Sequence, residues 1–154
     1  VSTIYSFKDT VTSIVSPAAG SFLATGQVGI GHLIVSYTIE RTVQDMSADG
    51  NCMISYVSGS NGHLGVEVQQ TSALNNYLVS WFNILTTAAD ADDVSNWAST
   101  TILITSLLDG TTHSLTGVSP GKIPDKTYGP QGARLNWTLM AGNVVTTPGV
   151  NTSF

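Results

Sequence analysis

Between Ser72 and about Thr86 the apolar side chains fall at Leu74, Tyr77, Leu78, Trp81, Phe82 and Leu85. Steps of three and four gather them on one side of a helix. Thr71 or Ser72 stands where a side-chain oxygen caps the first free amides. On either side the chain alternates instead, in short runs rich in Val, Ile, Thr and Tyr, which is the period of strands. One helix among many strands constrains the fold more than any motif here. It predicts a mainly β protein, its sheet curled, with a single helix as plug or brace.

The strands can be placed by their alternation and by the turns between them. Ser2 to Phe7 alternates and reads as an opening strand, followed by Val11 to Val15, which Pro17 and the small residues Ala18, Ala19 and Gly20 end. Around Gly26, Gly29 and Gly31 the chain turns or bulges. A long strand then sets Leu33, Val35, Tyr37 and Ile39 against Ile34, Ser36, Thr38 and Glu40. From Arg41 to Asn51 the pattern turns polar and closes at Asp49-Gly50, a turn dipeptide. Cys52 to Val57 returns, giving a long hairpin whose tip, around 41–51, projects from the body. Leu64, Val66 and Val68 alternate straight into the helix. Ile102 to Leu108 is apolar on both faces, so a central strand buried on two sides is expected. His113 to Val118 follows the Asp109-Gly110 turn. Proline and glycine between Pro120 and Gly132 mark an irregular connection before the last strand, Arg134 to Ala141, with Leu135, Trp137 and Leu139 inward. No internal repeat is visible, and 154 residues fit one domain, 1–154.

Charge is what the sequence lacks. Only 10% of residues are charged, where about a quarter is usual. Either other subunits cover much of the surface, or this is a Ser/Thr-rich β protein of the secreted or surface kind. The five basic residues, Lys8, Arg41, Lys122, Lys126 and Arg134, are scattered and form no stripe for phosphates. The net charge of −5 would repel DNA, which is useful only where DNA must slide past without sticking. There is no basic-then-apolar leader and no apolar run of membrane-spanning length, so a soluble chain without an export signal is expected.

No catalytic constellation is apparent. His32, His63 and His113 are far apart and lack partners at metal-ligand spacing, so neither metal nor cofactor is expected. Cys52 alternates with Ile54 and Tyr56 and reads as a buried apolar thiol. Asp90, Asp92 and Asp93 lack the glycine and closing glutamate of an EF-hand loop and read as a solvated loop, with room for one helical turn before Trp97. Gly26, Gly29 and Gly31 do not lie between a buried strand and a helix, so a dinucleotide site fails on context. Glu40 and Glu67 are the only glutamates, and nothing juxtaposes them. Asn136-Trp137-Thr138 and Asn151-Thr152-Ser153 match a glycan acceptor pattern that matters only in a secretory setting.

Several segments together resemble the tail tube proteins of contractile-tailed bacteriophages. Tyr5-Ser6-Phe7-Lys8-Asp9 is similar to the start of one such family, and Ser47-Ala48-Asp49-Gly50 to its hairpin element. Ser60-Asn61-Gly62 with Gly65-Val66-Glu67-Val68 resembles its glycine turn and alternating strand. Thr71-Ser72 with Asn75 resembles the helix cap, although Ala73 stands where that family often has proline. Pro124-Asp125, Gly132 and Leu135-Asn136-Trp137-Thr138 resemble the closing strand. The resemblance runs in order along nearly the whole chain, which carries a longer middle after the helix.

The resemblance implies a β-sandwich or barrel-like tail tube fold with one flanking helix, about 72–86, and no enzymatic activity. It implies a structural virion protein, six copies to a ring, rings stacked into the inner tail tube through which phage DNA is ejected. Edge strands would then be completed by identical neighbours. Asp45, Met46, Asp49 and Gly50 become the expected ring-stacking contacts, and Glu40, Glu67 and Asp109 the expected lumen-facing carboxylates. Tail sheath, baseplate and tail terminator proteins are the implied partners. The implied location is the virion tail, assembled in the host cytoplasm. Two alternatives accompany this reading: the inner tube of a related contractile injection machine such as a bacteriocin or secretion apparatus, and a monomeric small-ligand or carbohydrate-binding β-barrel using Trp97 or Trp137 as a stacking platform.

Overall fold

A computed structural model describes residues 5–24, 30–87, 95–108 and 110–149. Among the described residues nine strands form two sheets, the larger packed against one helix. In chain order they are β1 (Thr10–Ser16), β2 (Gly20–Ala24), β3 (Ile30–Tyr37), β4 (Thr42–Met46), β5 (Cys52–Tyr56), β6 (Gly62–Gln69), then helix α1 (Ala73–Thr86), and β7 (Thr100–Ser106), β8 (Thr112–Pro120) and β9 (Arg134–Thr147). The main sheet has seven strands in the order β2-β1-β7-β8-β9-β6-β3, each adjacent pair antiparallel, and β4 and β5 pair only with each other.

The helix forms where its periodicity demands. Ser72 is its cap, the hydroxyl accepting the Asn75 amide at 3.2 Å. Leu74, Leu78, Trp81 and Leu85 are buried, in one core with Leu64, Val66 and Val68 of β6 and Leu135, Trp137 and Leu139 of β9. Asn75, 1% exposed, is the polar exception. Its side chain accepts the Trp137 indole N–H at 3.1 Å and donates to the Gln70 carbonyl at 3.1 Å.

These contacts require curvature. Four strand spacings separate β2 from β9 in the sheet order, roughly 19 Å if the sheet were flat. Yet Asn75 reaches Trp137 on β9, while Tyr77, two residues further along the helix, donates its hydroxyl to the Gly20 carbonyl of β2 at 2.7 Å and packs its ring on Phe22. The sheet therefore wraps around the helix as a half-barrel. Of the two expected forms, sandwich or barrel-like, the described residues make the second, left open. Gly62 permits tight packing where β3 leaves the sheet, since a Cβ there would run into the Ser36 carbonyl.

Several boundaries differ from expectation. Tyr5 and Ser6 lie outside any strand and Phe7–Asp9 is a single 3-10 turn; residues 1–4 of the expected opening strand lie outside the described residues, as do Gly26, Gly29, Asp90, Asp92, Asp93 and Asn151-Thr152-Ser153. The expected bulge does appear at Gly31, where the β3–β6 register shifts between Ile30 and His32. The helical turn expected before Trp97 spans Ser95–Ala98 and contains it. β2 went unrecognised because Ser21-Phe22-Leu23 sits among small residues and is too short to show a period. β7 is central in the sheet but buried on one face only: Ile102 and Ile104 face the core, while Thr101 and Leu103 are exposed because the helix covers a single side. β9 runs six residues beyond Ala141, held by pairing with β8 as far as Thr112–Thr147.

Replacing Asn75 by Ala should cost about 2–4 kcal/mol of subunit stability, since it strands the buried Trp137 N–H and frees the Gln70 carbonyl. Chemical denaturation of the two proteins measures the difference.

Candidate assembly surface

Three features leave the subunit unfinished. β2 and β3 end the seven-stranded sheet, and among the described residues each is paired on one side only. An open edge presents a row of backbone donors and acceptors that invites another strand. The third feature is the β4–β5 hairpin.

Every residue of β4 and β5 is exposed. Residues directly opposite in an antiparallel pair share a face. One face therefore carries Thr42, Gln44, Met46, Cys52, Ile54 and Tyr56, and the other Val43, Asp45, Met53 and Ser55. Met46, Met53, Ile54 and Tyr56 are each at least 60% exposed, a large apolar surface for an isolated ribbon. A lone two-stranded hairpin is marginal in water. Cys52 corrects the expectation of a buried thiol: its alternation is real, but no layer lies behind the ribbon to bury it.

The base and tip of the hairpin are nevertheless fixed. Arg41 donates to the Tyr56 hydroxyl and to Ser60 Oγ, and the Val57 amide donates to the Arg41 carbonyl at 2.8 Å. At the tip the Asp49 carboxylate accepts from the Ser47 hydroxyl, the Asn51 amide and Asn51 Nδ2. The Ser47 hydroxyl first, then the Asn51 amide, holds the Asp49 carboxyl below its ordinary value. Gly50 follows with φ +89°, a conformation that side chains resist. Of the four expected stacking residues, Asp45 and Met46 thus lie on the β4 strand, and Asp49 and Gly50 shape the turn. All four are exposed.

The expected lumen carboxylates fall in three different settings. Glu40 is exposed but lies beyond β3, in the connection to β4, and not on a strand face. The ladder stops at Tyr37–Gly62 because β6 begins there. Asp109 lies outside the described residues. Glu67 does sit on the sheet face away from the helix, between Arg134 on β9 at 2.8 Å and His32 on β3 at 2.9 Å. Arg134 chiefly, opposed by partial desolvation and aided by His32, keeps the Glu67 carboxyl below its usual range. The row spans three strands and staples β3 to the sheet.

The ligand-platform alternative loses its aromatic residues. Trp137 is buried under the helix, and Trp97 packs edge-on against Phe82. His63 bonds Thr38 and His113 bonds Thr146. Among the described residues no three His, Cys, Asp or Glu side chains gather around a common point. Among the described residues no helix is long and apolar enough to cross a membrane. The concavities are open clefts. One, of about 470 Å³, runs along β9 beneath the 121–125 connection and includes Lys122, Asp125, Arg134 and Met140. Another, of about 320 Å³, lies between Phe7, Leu33, Val35 and Ile104.

Residues 2–149 match the Bacteriophage PhiTE tail tube protein family. The chain belongs to that family. This tail tube family member is a structural protein and not an enzyme, a component of a virion or tail-like particle. No curated protein matches the sequence. Among solved structures, a chain of the sheath/tube terminator of an extracellular contractile injection system (PVC, extended state) superposes with TM-score 0.60 at 13% identity, covering 96% of this chain and 99% of that one. A chain of the anti-feeding prophage (AFP) baseplate gives TM-score 0.59 at 16% identity, covering 96% and 98%. A chain of the PVC sheath-tube complex gives 0.58 at 13%, covering 93% and 90%. At these identities they establish the tail tube fold alone.

The depressed Glu67 carboxyl contributes stability above its unfolded pKa, and loses it as pH falls through the lower folded value. Glu67→Gln should therefore lower the melting temperature at pH 7, and the gap from the parent protein should close in acid, below the ordinary carboxylate range. Melting curves across pH measure this.

Proposed function

We propose that this protein builds the inner tail tube of a contractile-tailed phage. Copies join edge to edge into rings of six, and rings stack into a conduit that sheath contraction drives into the host envelope. DNA then passes through the bore without specific binding. The observation that supports this reading is the fully exposed hairpin with apolar residues on both faces, beside a sheet whose two borders are unpaired among the described residues. Such surface is a liability for a solitary subunit and an asset for one that meets its own copies.

Sheath, baseplate and terminator proteins are the proposed partners, and the host cytoplasm the place of assembly. A second reading, the inner tube of an injection machine that moves no genome, draws on the solved neighbours from extracellular contractile injection systems. The phage family match supports the first reading. Asp45, Met46, Asp49 and Gly50 are the proposed contacts between rings. The lumen-facing roles of Glu40, Glu67 and Asp109 remain part of the proposal, with Glu67 already paired to two basic side chains.

Concentrated pure protein should form rings or tubes of uniform diameter in negative-stain electron microscopy. A strictly monomeric species under all conditions overturns the reading. Replacing Asp49 and Gly50 together by Ala should abolish stacking while the subunit still melts near the parent temperature, because the tip buries nothing in its own chain.

A further inference from the structure

β9 outlasts its neighbour. It pairs with β6 as far as Ala141, opposite Gly62, where β6 begins, yet it continues to Thr147 beside β8 alone. The hairpin leaves the sheet at the start of this overrun, because Tyr37, the last residue of β3, also pairs with Gly62. The ribbon itself offers no grip. Every residue of β4 and β5 is exposed, and the two strands pair only with each other. Whatever sets its direction must act on the neck below it, residues 38–41 and 57–61.

Two tethers run from the neck region to the overrun of β9. In the first, Arg41 donates to Ser60 Oγ, and the Ser60 carbonyl accepts the Val144 amide at 2.8 Å. Val144 is buried, and its side chain occupies space that a Cβ on Gly62 would need. In the second, the Tyr37 hydroxyl bonds Thr146 Oγ1 at 2.6 Å, and Thr146 Oγ1 bonds His113 Nδ1 on β8 at 3.0 Å. β3 and β9 stand two strand spacings apart, about 10 Å, a gap the tyrosine crosses. Between the tethers the Thr38 amide donates to the Asn61 carbonyl at 3.1 Å, Thr38 Oγ1 bonds His63 Nδ1 at 2.9 Å, and Ile39 lies over Gly59. Arg41 directs its donors to two hydroxyls, Tyr56 and Ser60, and makes no ion pair among the described residues. Bonds of this kind constrain direction.

We infer that the overrun of β9 is an abutment for the hairpin: Ser60 and Thr146 are positioning residues that hold the ribbon at one angle to the sheet. One tether starts on the outgoing arm, at Tyr37, and the other on the returning arm, at Ser60, so tilt and twist are both restrained. A ribbon that swung freely would lose that freedom in any contact it made, and an arm already aimed avoids the loss. The angle is a property of the lone subunit. Its effect on assembly rests on the tube reading above.

Distances between ribbon and sheet test it. Cys52, the chain's one cysteine, is exposed on β5 and takes a nitroxide label; a second label goes on the body through Thr101→Cys, at an exposed position of β7. Pulsed electron paramagnetic resonance on dilute, unassembled protein then reads the spread of distances between the two. The parent should give one narrow distribution. Ser60→Ala, which releases Arg41 but keeps the Val144 bond, and Thr146→Val should each broaden it, and the pair more so. Thr146→Ser retains the hydroxyl and should leave it narrow. The severed side-chain bonds are exposed, so melting temperatures should stay near that of the parent. Unlabelled S60A/T146V should need roughly tenfold more protein to form tubes. A broad distribution in the parent, a narrow one in S60A/T146V, or equal broadening in T146S and T146V overturns the inference. So does a variant that no longer folds, because the bonds would then hold the subunit together and not aim the ribbon. Broadening with an unchanged threshold for tubes overturns the role in assembly. A parent that forms no tubes overturns the tube reading, and the distances still decide the angle.

Discussion

The amide of Asn75 connects the two halves of this molecule. It sits at the start of the helix, fully enclosed, and bonds the indole of Trp137 in β9 and the carbonyl of Gln70 in the connection from β6. A buried polar group unsatisfied at this depth is expensive, whereas a satisfied one tolerates a single arrangement. The helix is thereby fixed in rotation and position, and Tyr77 is carried to the far border of the sheet at Gly20. Apolar packing alone would hold the helix against the strands with less precision. The seven strands curl around the helix between these two anchoring points.

Curvature around one helix explains why the subunit has two kinds of surface. The concave side is filled with Leu, Val, Ile and Trp packed against the helix. Among the described residues the two borders and the ribbon are covered by nothing, and there the low charge content becomes intelligible. A lone protein keeps itself soluble with charged side chains. This one spends few, and those on β6, β9 and β3 are mutually neutralised in the row of Arg134, Glu67 and His32.

The sequence made the helix, its Ser72 cap and the inward faces of β6 and β9 legible, because in each a buried stripe writes a strict period into the residues. It also made the projecting hairpin legible through Asp49-Gly50. Cys52 and β7 were misread for one reason. Alternation and apolarity report which side chains share a face, but not whether a second layer lies against that face. β2 was missed because five residues carry too little pattern. The Lys122 cleft had no sequence signal at all: Lys122 and Arg134 are twelve positions apart and meet only because β9 turns back beside the connection that leads into it.

β9 has a mechanical consequence. Its fourteen residues span about 45 Å of extended chain, paired with β6 from Arg134 to Ala141 and with β8 from Leu139 to Thr147. A pull directed along this strand loads those ladders in shear, so many hydrogen bonds share the force and must rupture together. The same pull across the strand would peel them one by one. A particle that thrusts such subunits forward is strong only if β9 lies close to the axis of thrust.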